Sequence, residues 1–133
     1  MKTLLAVSGV VEMLAGLAFV ATPSLSAMQF FGASLEGPGD TSMARVLGLA
    51  LLALGLSFWR ARTDVRAPAA RGLVVAMLVY STGVVVLPAV TALVGLRISA
   101  PMLWPVIGLH GGIAVWCAWT LRTGPARPAA AQP

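Results

Sequence analysis

The chain has 133 residues, of which 59% are hydrophobic and 10% charged, and its mean hydropathy is +0.92. That charge content is well under half of the roughly 25% typical of soluble domains, which excludes a disordered chain and argues against a water-soluble globule. A single cysteine excludes an intrachain disulfide and any multi-cysteine zinc site. The formal net charge of +5 then has to be read from where the charges fall.

Taken in chain order, the first apolar run predicts a helix over 3–21 with Glu12 as its one charge. Lys2, the apolar run and the small residues Ser24, Ser26 and Ala27 also resemble a signal peptide within residues 1–27. The length of the run and the glutamate at its centre favour a retained helix. Leu25, Met28, Phe31 and Leu35 then recur at helical spacing, which predicts a short amphipathic segment at the membrane surface; an ordinary apolar loop is the alternative. Gly37-Pro38-Gly39 is a turn, and Asp40 suits the N-cap of a second helix over 41–60, in which Arg45 is the lone charge before Arg60. A polar connection from Arg60 to Arg71 follows. The third helix, 71–95, opens a stretch of 25 charge-free residues from Gly72 to Leu96 and contains Pro88, which should kink it or free a backbone carbonyl. Ser99 and Pro101 start a fourth helix over 101–121, and Gly124-Pro125 ends it. The Pro/Ala-rich tail, 125–133, is expected to be mobile.

A helix rises about 1.5 Å per residue, so roughly 20 apolar residues cross a hydrocarbon core of about 30 Å. The expected fold is therefore all-α, a polytopic membrane protein in which residues 1–124 form a bundle of four transmembrane helices, with a short interfacial segment between the first two. Four crossings place the termini and the middle loop on one side. That side receives Lys2, Arg60, Arg62, Arg66, Arg71, Arg122 and Arg127, and the other receives only Arg45 and Arg97. Positive charge collects on the cytoplasmic side, so the bias predicts a bacterial inner membrane location with both termini cytoplasmic. The basic residues punctuate helix ends and do not cluster with aromatics, so no nucleic-acid partner is expected. Trp59, Trp116 and Trp119 near one boundary, and Trp104 with Phe30 and Phe31 near the other, read as interface anchors.

Glu12 and His110 each lie nine residues from the outer end of their helices, about 13 Å deep, and Arg45 lies about 6 Å deep with a side chain that can reach further inward. A charge at membrane depth costs at least about 2.5–3.5 kcal/mol unless paired or wet. The expectation is one intramembrane polar cluster of Glu12, Arg45 and His110. Gly9, Gly16, Gly48, Gly55, Gly108 and Gly112 are the candidate helix-packing residues, since small residues let backbones approach. The cluster reads first as a structural clamp. Three functional readings compete with it: Glu12 as a proton or cation site, His110 as an axial ligand for haem or a chlorophyll-type pigment with the neighbouring glycines giving a flat ring room, and Cys117 as a reactive thiol. Cys117 reads more readily as a small core residue. Tyr80, Ser81 and Thr82 are polar but carry no spacing that specifies a task. No catalytic constellation, metal site or cofactor motif is present in the sequence.

Glu12-Met13-Leu14-Ala15-Gly16-Leu17, the loop from Phe31-Gly32 to Gly37-Pro38, and the run from Ala44 to Gly55 resemble small four-helix bacterial membrane proteins of unassigned function, loosely similar to the DoxX-like group. The resemblance covers roughly the first 60 residues and implies architecture, with no agreed activity. Small multidrug transporters also carry a glutamate in a first helix. This chain departs from them in the residues after Glu12 and in its seven-to-two charge bias. The expected role is a non-enzymatic structural or accessory subunit, partnered by the lipid bilayer and by other membrane subunits or its own copies. A small proton-coupled transporter using Glu12 is the alternative, and a pigment-binding subunit using His110 the third reading.

Overall fold

The computed structural model describes residues 1–94 and 99–123. Five helices make up the described chain: α1 Lys2–Ala21, α2 Pro23–Phe31, α3 Pro38–Ala61, α4 Pro68–Leu93 and α5 Leu103–Thr123. Among the described residues there is no strand. Four of the helices, α1, α3, α4 and α5, are long and apolar enough to cross a membrane. The residue positions 95–98 and the tail, with Arg97 and Arg127, lie outside the described residues.

Proline and glycine set several boundaries. Thr22 ends α1, its hydroxyl donating to the Ala18 carbonyl at 3.0 Å, and Pro23 opens α2 at a position where a missing N–H does no harm. The segment expected at the membrane surface is thus a helix. It stops at Gly32, whose φ of 64° is the left-handed conformation glycine adopts without a Cβ penalty. Helix α3 begins at Pro38, earlier than the sequence reading, because Gly37 in extended backbone serves as the N-cap. Asp40 therefore lies within the first turn, and its carboxylate accepts the Glu36 N–H at 3.1 Å. Pro68 similarly starts α4 three residues before Arg71. Helix α4 runs through Pro88, which leaves the Val84 carbonyl without its helical donor.

The tightest contact joins α1 to α3. Gly9 faces Gly55 and Gly16 faces Gly48, so the two helices run antiparallel in a single register. A Cβ added at Gly16 would lie 2.7 Å from the Gly48 carbonyl oxygen, and one at Gly55 would lie 2.8 Å from that of Gly9. Real Cβ atoms do not approach so closely; only glycine permits this backbone contact. The glycines in each helix are seven residues apart, two turns, so both pairs fall on one face.

Helices α4 and α5 form a second pair, tied at one end by the Arg71 guanidinium donating to the Leu121 carbonyl at 3.2 Å. The two pairs meet through large side chains at the end that carries Met1. There Leu4, Leu5, Phe58, Ala70, Val74, Met77, Ile113 and Cys117 form one buried core. Toward the other end a smaller cluster of Phe19, Ala44 and Leu51 holds α1 to α3. The outward surface of the spans is mostly apolar: Leu14, Leu17, Val79, Leu87, Val115 and Trp119 are all more than half exposed. Such a surface suits hydrocarbon and is compatible with an integral, multi-pass membrane protein.

The glycines divide into two classes, which a substitution pair separates. Gly16→Val or Gly48→Val should destabilise the protein by about 1–3 kcal/mol, read as a lower unfolding temperature in detergent. Gly112→Ala, where a Cβ meets nothing within 4 Å, should change stability by no more than about 0.5 kcal/mol. A Gly16→Val protein as stable as the parent would disprove the close α1–α3 contact.

Candidate functional site

Above the shared core the two helix pairs separate, and a cleft of about 580 Å³ lies between them. Its walls come chiefly from α1 and α5, with Leu47 and Leu51 of α3, Val84, Leu87 and Pro88 of α4, and Phe30 and Phe31 of α2 completing them. Every lining side chain is apolar except Glu12, Tyr80 and His110. Those three come from α1, α4 and α5 and lie near the mid-length of their helices, so they form a polar floor where the separation begins.

Glu12 is 1% exposed, and its Oε1 is buried without a hydrogen-bond partner. Tyr80 is the polar side chain beside it. One turn away on the same face of α1, the Ser8 hydroxyl is also buried and unpartnered. This is unusual within the chain, since the hydroxyls of Thr22, Thr41, Ser42, Ser57 and Thr123 all donate back to the carbonyl four residues earlier. His110 is better satisfied. Its Nδ1 lies 3.3 Å from the Ser81 hydroxyl, and its ring meets Tyr80 edge-on with centroids 5.4 Å apart.

The structure brings Glu12 and His110 to one cleft but not Arg45. In the antiparallel register of α1 and α3, Arg45 stands level with Phe19, seven residues or about 10 Å along the helix from Glu12. It is exposed and is not part of the cleft lining. Gly9, Gly16, Gly48 and Gly55 lie in the α1–α3 contact, whereas Gly108 and Gly112 are exposed with open space beside them. The space they leave is on the outward side of α5, whereas His110 lines the cleft. Cys117 is wholly buried in the core. Trp59, Trp104, Trp116 and Trp119 are 37%, 77%, 38% and 67% exposed, and the Arg62 guanidinium covers the Trp59 ring at 3.7 Å. Among the described residues no group of three or more His, Cys, Asp or Glu could hold a metal ion.

Tyr80 and Ser81 are the site residues that the sequence reading left without a task. The depth arithmetic applied to Glu12 and His110 finds them too, for both fall at the midpoint of Pro68–Leu93. Their neutral side chains carry no charge alarm, and only the third dimension shows that they turn toward His110. Thr82, the next residue, is exposed.

A carboxyl with one unpartnered oxygen on an apolar cleft can receive a hydrogen-bond donor, a proton or a cation. No protein-family model, curated protein or solved structure matches the chain.

Two substitutions test the reading of the floor. Ser81→Ala leaves His110 Nδ1 without its partner and should lower stability by about 1–3 kcal/mol. Glu12→Leu removes an unsatisfied buried group and should raise the unfolding temperature in detergent. A large fall would reveal a partner holding the carboxylate.

Proposed function

We propose that this chain is a small proton-coupled carrier of the bacterial inner membrane, with both termini cytoplasmic and Glu12 as its exchange site. The observation that supports the reading is the buried Glu12 carboxyl, whose Oε1 has no hydrogen-bond partner, on the lining of a cleft large enough for a small organic molecule.

The chemistry follows from charge balance. A carboxylate accepts and never donates, so at this depth its charge is matched either by a proton or by the cationic end of a solute. Alternation between those two occupants is the coupling: a cation arriving releases a proton to water, and the returning proton expels the cation. The titratable side chains facing the cleft are Glu12 of α1, Tyr80 of α4 and His110 of α5, while α2 and α3 contribute apolar side chains only. Phe19, Phe30 and Tyr80 provide aromatic rings along the walls, which suit a cation with an apolar body. Tyr80 can donate its hydroxyl to the carboxylate, and the Ser81–His110 contact holds the far side of the floor in place.

The accessory-subunit reading is favoured by one feature, the uncovered face of α5 that carries Trp104, Gly108 and Gly112. A mass measurement after gentle extraction separates the two, since an accessory subunit stays with a larger assembly.

In proteoliposomes, an imposed pH gradient should drive uptake of trimethyl(phenylbutyl)ammonium, a permanent cation that crosses protein-free vesicles poorly. Glu12→Gln should abolish the uptake, and Arg45→Ala, remote from the cleft, should retain it. Uptake undiminished in Glu12→Gln would remove Glu12 from the mechanism.

A further inference from the structure

The cleft is spanned at one end by a short helix and reaches the lipid-facing surface along its flank. Helix α2 lies across the end remote from the shared core and is held from both sides. Phe19 of α1 packs against Phe30 and Phe31 with ring centroids 5.4 and 5.7 Å apart. On the other side the Met102 N–H donates to the Gln29 carbonyl at 3.0 Å. Gly32, in its left-handed conformation, sits so close to the Ser99 carbonyl that a Cβ would collide with it. These contacts hold α2 over that end as a partial roof, with Phe31 and Met102 still 49% and 40% exposed.

The flank is different. Leu14 of α1 and Leu109 of α5 line the cleft and yet are 62% and 43% exposed, so the cleft is continuous with the lipid-facing surface between those helices. From that flank inward, every lining side chain before the floor is apolar. A strongly hydrated solute would shed its water along such a path with nothing to replace it, whereas an apolar body would lose nothing.

We propose that solute is admitted sideways from the hydrocarbon, between α1 and α5 and beneath the α2 roof. The substrate class is then membrane-partitioned amphiphiles with a single cationic end, which Glu12 receives. Sugars, amino acids and inorganic ions are outside it. This inference rests on the carrier reading and adds the route and the solute class.

The test uses the full chain in lipid nanodiscs, with a nitroxide on Val106→Cys inside the cleft. Cys117, wholly buried, should stay unlabelled, and Leu109→Cys on the flank is a second site should the first variant fold poorly. Oxygen, dissolved in lipid, should relax the cleft nitroxide about as effectively as one on the lipid-facing Val115→Cys, and a water-soluble nickel chelate should scarcely reach it. Relaxation by the chelate matching that at the exposed loop position Asp64→Cys would overturn the lateral route. Gly32→Ala should lift the roof and raise chelate access several-fold; unchanged access would overturn the roof. Phenylbutylamine should cut oxygen access in protein with Glu12 and not in Glu12→Gln, and phenylbutanol should do so far less. Equal effects of amine and alcohol would overturn the cationic class while leaving the route. If neither ligand changes a nitroxide that lipid oxygen reaches, the carrier reading itself falls.

Discussion

The contact between the α1 and α3 backbones at Gly9–Gly55 and Gly16–Gly48 is the constraint on which the site depends. Because a Cβ at these positions would meet backbone atoms, the helices lock in one register. That register sets Arg45 level with Phe19 and leaves Glu12 facing the other helix pair without a cation. A different register would let the arginine neutralise the carboxyl, and the site would become the clamp that the charges alone suggest. Dispersion and close packing, rather than electrostatics, therefore decide what Glu12 can do.

The second determinant is the uneven distribution of bulk. Phe58, Met77, Leu4 and Leu5 fill the space between the helix pairs at one end, while Ala15, Ala18 and Val84 leave it open beyond the mid-length. Pro88 and Pro105, each without an N–H, line the same open region. A cleft thus forms at the level where Glu12, Tyr80 and His110 converge. Dry walls strengthen any interaction made at the floor, since little water is there to screen it. The large exposed apolar surface around the helices is the ordinary condition of a protein solvated by lipid.

Much of this was legible in the residues themselves. Charge-poor runs of helical length mark the four spans, the spacing of Leu25, Met28 and Phe31 marks the short α2, and counting from helix ends puts Glu12 and His110 at similar depth. Depth does not determine rotation, however. Gly108 and Gly112 have the same small-residue spacing as true contact glycines yet face outward, because spacing is blind to which side of a helix a neighbour occupies. The same blindness produced the expected Glu12–Arg45 pair and passed over Tyr80 and Ser81. The separation of the helix pairs depends on side-chain volumes summed across four helices, which no local pattern in one segment encodes.

The central claim is that Glu12 exchanges a proton for the cationic end of a solute held in the cleft. Calorimetric titration of trimethyl(phenylbutyl)ammonium in two buffers of different ionisation heat measures this directly, because the ligand has no proton of its own to release. The account predicts one proton released per cation bound, and none with Glu12→Gln. Binding heats identical in the two buffers, or a proton count unchanged by Glu12→Gln, would contradict it.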